Sequence, residues 1–354
     1  MNKKRIVVTA IVVLLLALLI YLQVRTWRRF DWARFAAATQ GANFYFIGLG
    51  VALIYFDYYL RALRWKILLR PVCRTTSLRL LAPTVIGFTG TALLGRPGEF
   101  IRPYLVSRRE RLSMASQMAV WTVERIFDVG AFAVMMALNI LLNESSLSQL
   151  PFFGKFKLAS FIILGGVLFV ALIAFRIQKN PGRAVRLAER MIRPVSKKLA
   201  ESVARHVQGF GEGLNTIHDF SSFLQLSGVS LLIWIIIGFS YVAVTHAYTN
   251  KILATMPLSH TLFLTAGSVA GGLLQLPMVG GGSQLATISI LNNIFMVKPE
   301  VSTSCGMMLW LVTFMSIIPT GLFMAHRQRV SFTRLKEESI EEGEKYQDEA
   351  SANG

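Results

Sequence analysis

Three ionisable residues, Glu124, Arg125 and Asp128, fall within one turn of an otherwise apolar stretch, residues 121 to 136. On a helix they project over a single sector. At ~2.5–3.5 kcal/mol for each charge held centrally in lipid, three unpaired charges would forfeit most of what burying that helix gains, so they must be paired or wetted. An Arg125–Asp128 pair at i, i+3 could fasten helices together, or the group could meet a polar ligand; either way Glu124 finds no partner on its own helix.

A second group, Arg96, Glu99 and Arg102, recurs at three-residue spacing and shares one face if a helix resumes at Gly98. Two arginines then bracket one carboxylate. The planar guanidinium fork grips phosphate or carboxylate through paired hydrogen bonds and stays charged when partly desolvated, which suits it to a lipid phosphate. Arg108, Arg109 and Arg111 fit better as a basic edge touching headgroups. A third group is the glycine run Gly280, Gly281 and Gly282 with Gln284 beside it, where backbone can approach a ligand closely. Asp57 and Arg61 form an i, i+4 pair that reads first as snorkelling at the inner interface and only secondly as part of a site. His246 and the Asn292–Asn293 pair read as interfacial. The sequence contains no HExxH, no P-loop, no nucleophile beside a base and no dense Asp cluster, so neither catalysis nor a metal site is expected.

The elements that must position these residues are membrane spans. Of 354 residues 53% are hydrophobic and 16% charged, and the mean hydropathy of +0.51 excludes an ordinary water-soluble domain. Apolar runs at 6–24, 44–60, 115–142, 157–175, 223–248 and 303–325 each suit the ~30 Å hydrocarbon core. Thirty-seven Lys and Arg against nineteen Asp and Glu give +18, and without a nucleic-acid motif that charge points to anionic headgroups and to topology. Basic residues follow the even-numbered spans, Arg61, Arg64, Lys66 and Arg70 among them, and place both termini in the cytoplasm. Arg25, Arg28, Arg29 and Arg34 run against that rule unless they cover an interfacial helix. Residues 337–354 are acidic and lack apolar periodicity, so a disordered tail is expected after a 1–336 transmembrane domain. Cys73 and Cys305 are too few for a disulfide framework or a Cys-rich metal site.

Two apolar regions, 77–114 and 258–298, are interrupted midway. The first breaks at Gly95-Arg96-Pro97-Gly98-Glu99 and the second at 277–283. Pro lacks an amide donor and Gly tolerates angles no helix uses, and irregular backbone at membrane depth survives only where protein or water satisfies it. The first region begins and ends inside, the second outside. The expected fold is therefore an all-α polytopic membrane protein with about six full spans plus two opposed re-entrant helical hairpins, a pattern of inverted repeats. Two ordinary hairpins with Gly-Pro turns at the surface are the alternative.

The segments Arg61-Ala62-Leu63-Arg64-Trp65-Lys66, Gly95-Arg96-Pro97-Gly98-Glu99 followed by Arg102, Glu124-Arg125-Ile126-Phe127-Asp128 and the glycine-rich break at 277–283 together resemble the lysylphosphatidylglycerol synthetase transmembrane-region family, flippase-like proteins that include the membrane half of the multiple peptide resistance factor. The resemblance spans roughly residues 10 to 325. It implies a polytopic bacterial inner-membrane protein that handles an aminoacylated phospholipid, a glycolipid or a similar amphiphile without a known cofactor. Two departures stand out. The second break usually carries a Glu shortly after its glycines, whereas this chain has Gln284, and the chain has no soluble domain of the size aminoacyl transfer needs.

The resulting expectation is a polar-lipid translocase, not an enzyme, with Arg96, Glu99, Arg102, Glu124, Arg125, Asp128, Gly280, Gly281, Gly282 and Gln284 at the substrate and Asp57 and Arg61 as weaker candidates. Its partners would be membrane lipids with anionic or zwitterionic headgroups, no nucleic acid, and an envelope-biosynthesis enzyme in the reading that makes the chain a glycosyltransferase partner. An intramembrane lipid-modifying enzyme using Glu124 or Glu99 as base is the third reading.

Overall fold

A computed structural model describes residues 31–151, 153–179, 220–272, 275–276 and 280–328. The apolar run at 6–24, Arg25, Arg28 and Arg29, the basic segment 180–219 and the tail 337–354 lie outside the described residues. Helix α1, Trp32–Gln40, starts where the Asp31 carboxylate accepts the Arg34 amide and stops at Gly41. Helix α2, Phe44–Leu69, starts where the Asn43 side chain accepts the Tyr45 amide, and it runs more than two turns past the predicted end at residue 60. That extension keeps Arg61, Arg64 and Trp65 in regular helix.

Helix α3, Ser77–Leu94, ends at Gly95, whose φ of 72° only glycine adopts without strain, and a 3-10 turn, Arg96–Phe100, leads into the short α4, Ile101–Glu110. There follow α5, Met114–Leu142; α6, Phe153–Lys179; α7, Phe220–His246; α8, Leu258–Gly271; and α9, Gly282–Asn293. Between α8 and α9 the two-residue strands Gln275–Leu276 and Gly280–Gly281 pair antiparallel. Helix α10, Pro299–Trp310, opens with a proline at its first turn, four residues before the predicted span, and continues through a π-helical turn, Leu311–Met315, into α11, Ile317–Arg327. Among the described residues five helical stretches are long and apolar enough to cross a membrane: Phe44–Leu69, Ser77–Leu94, Ser116–Leu142, Ser221–His246 and Pro299–Arg327. The chain is an all-α polytopic membrane protein.

Both interrupted regions fold as antiparallel helical hairpins. In the first, Gly87 faces Arg102 while Gly90 faces Ile101 and Gly98; in the second, Gly267 faces Ile290 while Gly271 faces Gly282. The arms differ in reach. At 1.5 Å per residue α3 extends about 27 Å and can cross, whereas α4 extends about 15 Å, α8 about 21 Å and α9 about 18 Å, all short of the ~30 Å core. The open ends of the two hairpins lie at opposite ends of the bundle. The second opens beside the start of α2 and the end of α7, where the Asn43 amide donates to the Ala247 carbonyl at 2.7 Å and His246 Nε2 meets the Met256 carbonyl at 2.9 Å. Helix α1 closes the same end: Thr39 Oγ1 lies 2.7 Å from Ser304 Oγ, and Arg34 stands 3.8 Å from Glu300, giving the misplaced-looking arginine a carboxylate. The first opens beside the far end of α2, with Thr75 Oγ1 donating to Glu110 at 3.1 Å and Ala325 of α11 packed among Ile86, Ile101 and Tyr104. The largest core cluster, including Tyr58, Tyr241, Val244, Leu264, Leu291 and Val312, joins α2, α7, α8, α9 and the π turn.

Candidate functional site

Helix α2 carries Asp57, Arg61 and Arg64 at i, i+4 and i+7, one stripe of its surface. Helix α5 turns Glu124, Arg125 and Asp128 toward that stripe, and α4 adds Arg102. Gly87 lets α4 come this close, since a side-chain carbon there would stand 2.5 Å from the Arg102 Cβ.

Arg64 is the hub. It is wholly buried, and its Nη1 donates to Asp128 Oδ1 at 2.5 Å and to Ser230 Oγ of α7 at 3.1 Å, while Nη2 donates to Glu124 Oε1 at 2.6 Å. Glu124, also wholly buried, is gripped from the other side by Arg102, whose Nη1 donates to Oε1 at 3.1 Å and whose Nη2 donates to Oε2. Arg61 Nε donates to Asp57 Oδ2 at 2.8 Å and its Nη1 stands 3.9 Å from Asp128 Oδ2. Arg125 Nη2 completes the set, 3.2 Å from Asp128 Oδ2 and 3.8 Å from Glu124 Oε2. The order Asp57–Arg61–Asp128–Arg64–Glu124–Arg102 alternates in sign from α2 to the tip of the first hairpin.

Aromatic faces hold the cations in place. The Arg102 guanidinium carbon lies 4.0 Å from the Trp65 ring centroid and 5.3 Å from that of Phe88, and Arg61 lies 5.0 Å from Phe88. Trp65 Nε1 donates to Gln117 Oε1 at 3.3 Å, and Trp234 Nε1 donates to the Asp128 main-chain carbonyl at 3.0 Å. Four guanidinium groups therefore face three carboxylates in low dielectric, where a pair is tolerable only when most hydrogen bonds are made. Most are; Asp57 Oδ1, Arg64 Nε and Arg125 Nε are buried without a hydrogen-bond partner.

The cluster borders a cavity. A cavity of about 80 Å3 is lined by Phe88, Thr91, Glu99, Arg102, Trp121 and Arg125, room for several waters or a group the size of a phosphate. Arg125, with 39% of its side chain exposed, is the cation that faces out, and Glu99 makes no ion pair among the described residues. Arg102, Glu99 and Arg125 can thus present two positive groups and one negative group to a polar headgroup entering beside the Gly95–Glu99 break.

The structure brings Asp57, Arg61, Arg102, Glu124, Arg125 and Asp128 together, with Glu99 at the cavity wall. Two expectations are corrected. Asp57 and Arg61 are buried between helices rather than snorkelling at an interface, because α2 continues and Asp128 and Phe88 lie across from them. Arg102 turns to Glu124 rather than bracketing Glu99 with Arg96; Arg96 sits exposed on the 3-10 turn and does not line the cavity.

The second break forms a separate place. Gly281, with φ of 116°, precedes α9, and its amide donates to Gln284 Oε1 at 3.4 Å, so Gln284 caps its own helix. Gln284, Ser283, Thr287, Ser268, Tyr241 and Thr313 surround a narrow space beside the π turn, and Tyr241 donates to Ser268 Oγ at 2.9 Å. Gly280 and Gly281 pair with Leu276 and Gln275, and Gly282 lies against Gly271. Pro277, Met278 and Val279 lie outside the described residues. Among the described residues no hydrogen bond or ion pair joins Gly280–Gln284 to the arginine–carboxylate cluster.

Sequence reasoning missed Arg64, Trp65, Gln117 and Ser230. Arg64 carries the signal that could have found it: with Asp57 and Arg61 it completes a heptad-like stripe, which a set of headgroup-facing charges has no reason to keep. The family described as lysylphosphatidylglycerol synthase TM region matches residues 6–321. No curated protein and no solved structure matches the chain.

Proposed function

The chain belongs to the lysylphosphatidylglycerol synthase TM-region family, and from that premise we propose that it is a translocase that moves a polar lipid between the leaflets of the bacterial inner membrane, with both termini cytoplasmic. The observation that carries this reading is the cavity beside the broken hairpin, where Arg102 and Arg125 of the ion cluster share a lining with Glu99. A phosphate entering there exchanges Arg125's carboxylate partners for its own oxygens, with bidentate hydrogen bonds from a guanidinium fork. Glu99 receives the cationic part of a zwitterionic or aminoacylated headgroup. The acyl tails stay in lipid, so only the headgroup has to be sheltered.

The short arms of the hairpins support the same reading. The two arms of the second hairpin, about 18 to 21 Å, end within the bilayer if its open end lies at the surface. In the first hairpin α3 can cross while α4 stops short. Entering from opposite ends, the two act as the broken-helix elements of an alternating-access device. No cofactor takes part in this scheme.

The test is a leaflet-resolved exchange assay on proteoliposomes carrying headgroup-labelled phosphatidylglycerol, aminoacyl-phosphatidylglycerol and a glycolipid. Exchange of at least one above the protein-free rate is expected, and rates no higher than the protein-free ones for all three overturn the proposal. Mass spectrometry of the same lipids separates the enzymatic reading, in which new species form, from transport, in which only their leaflet changes.

A further inference from the structure

Asp57 is the member of the ion cluster whose two oxygens are least alike. Oδ2 accepts the Arg61 Nε at 2.8 Å, while Oδ1 is buried with no hydrogen-bond partner. A buried ionised oxygen with no protein donor costs more than a neutral carboxyl would in the same place, because desolvation penalises charge. Every other carboxylate in the cluster has at least one guanidinium on each oxygen: Glu124 has Arg64 and Arg102, and Asp128 has Arg64, Arg61 and Arg125.

We propose that Asp57 is a reversible proton-binding site whose occupancy sets how tightly the Arg102–Arg125 cavity holds an anionic headgroup. This rests on the cavity being the headgroup site. A proton from solvent adds to Oδ1, an O–H bond forms, and the carboxylate becomes neutral with no other bond broken. The groups around Asp57 are Tyr55, Tyr58, Arg61 and Arg64 on α2; Glu124, Arg125 and Asp128 on α5; and Arg102 on α4. The parts of α3 and α7 facing the cluster bring Phe88, Ser230 and Trp234, none of which titrates here.

Neutral Asp57 leaves four guanidinium groups against two carboxylates, so the cluster gains one unit of positive charge. Arg61 loses its 2.8 Å partner and turns to Asp128, already 3.9 Å away. Asp128 is shared by Arg64 at 2.5 Å and Arg125 at 3.2 Å, and Arg125 is the more exposed and longer-held of these. It is therefore the one released toward the cavity, where it meets an anion. Coupling between sites is reciprocal, so an anion in the cavity raises the proton affinity of Asp57 by the factor by which the proton raises anion affinity. Protonation strengthens anion binding, and binding takes up a proton.

The experiment uses the full chain in phosphatidylcholine nanodiscs and titrates dihexanoyl phosphatidylglycerol by calorimetry in buffers of different ionisation enthalpy. The apparent Kd is expected to rise about tenfold between about pH 5 and about pH 9, with proton uptake on binding. Asp57→Asn, nearly isosteric, should bind tightly at every pH and take up no proton. Arg125→Gln should bind weakly throughout. Flat pH dependence of the unsubstituted protein, or an Asp57→Asn variant that keeps the slope and the uptake, overturns the proton site and leaves the headgroup site standing. Absence of binding at every pH overturns both.

Discussion

Gly90 and Gly98 meet backbone to backbone: a side-chain carbon on Gly98 would overlap the carbonyl of Gly90 and the amide of Thr91. This contact seats α4 against α3, and with Gly87 it is what lets Arg102 reach Glu124. Main chain on both sides cannot yield as a flexible side chain does. Gly98→Ala should therefore lower stability by ~1–3 kcal/mol, the usual cost of overpacking, and reduce lipid exchange with it. Gly165→Ala on α6, where a side-chain carbon would meet nothing outside its own helix, should leave stability unchanged or raise it by up to ~1 kcal/mol. Thermal unfolding in detergent measures both; equal shifts would remove the argument for a tight hairpin.

Arg64 is the partner that two buried carboxylates share. Arg64→Met leaves Glu124 and Asp128 short of a cation, and removing one side of a buried pair costs ~3–5 kcal/mol. Loss of folded yield or a steep drop in unfolding temperature is expected. Arg64→Lys should recover little, because an ammonium cannot span Asp128, Ser230 and Glu124 as the planar fork does. Adding Glu124→Gln to Arg64→Met should regain part of the loss, and a strictly additive double variant would show that the two do not interact.

Arg125 separates transport from stability. Half exposed, and with Asp128 keeping Arg64 and Arg61, it should cost less folding energy as Arg125→Gln than Arg64→Met does, ~1–2 kcal/mol, while lipid exchange falls more than about tenfold. Lys157→Ala is the control: its 2.5 Å pair with Glu144 is exposed and distant from the cluster, so neither stability nor exchange should change measurably. Exchange that survives Arg125→Gln places the headgroup elsewhere.

The two hairpins make a topological prediction. In a Cys73→Ser, Cys305→Ala background, Arg109→Cys at the end of the first hairpin and Lys298→Cys just past the second should react with an impermeant maleimide from opposite sides of sealed vesicles, Arg109→Cys from the cytoplasmic side. Labelling of both from one side would dissolve the opposed arrangement.

What could be read from the sequence was whatever the backbone decides locally. Gly95, Pro97 and Gly98 interrupt a helix wherever they stand, and the apolar runs mark spans by length alone, so the breaks and most spans emerged in place. The Glu124–Arg125–Asp128 turn was legible as a group needing partners. Its partners were not, since Arg64 reaches Glu124 across 60 positions and Arg102 reaches it across 22. The rule that basic residues flank spans on one side counts Arg61 and Arg64 as topology, and only a knowledge of which helix faces α2 converts them into a site. Gln284 was legible as a polar residue beside glycines; that its oxygen is occupied by the Gly281 amide depends on a hydrogen bond the sequence does not record.

The wide turn at Leu311–Met315 lies where the last span passes from the second hairpin to the first. Thr89 of the first donates to the Ile317 carbonyl just beyond it at 3.4 Å, and Thr313 and Phe314 border the tip of the second. A π turn carries one surplus residue relative to the α-helix, so the side chains after it are set at a different phase from those before it. The final span thereby presents α10 to α9 of the second hairpin and α11 to α3 of the first, one continuous span serving as a wall for both.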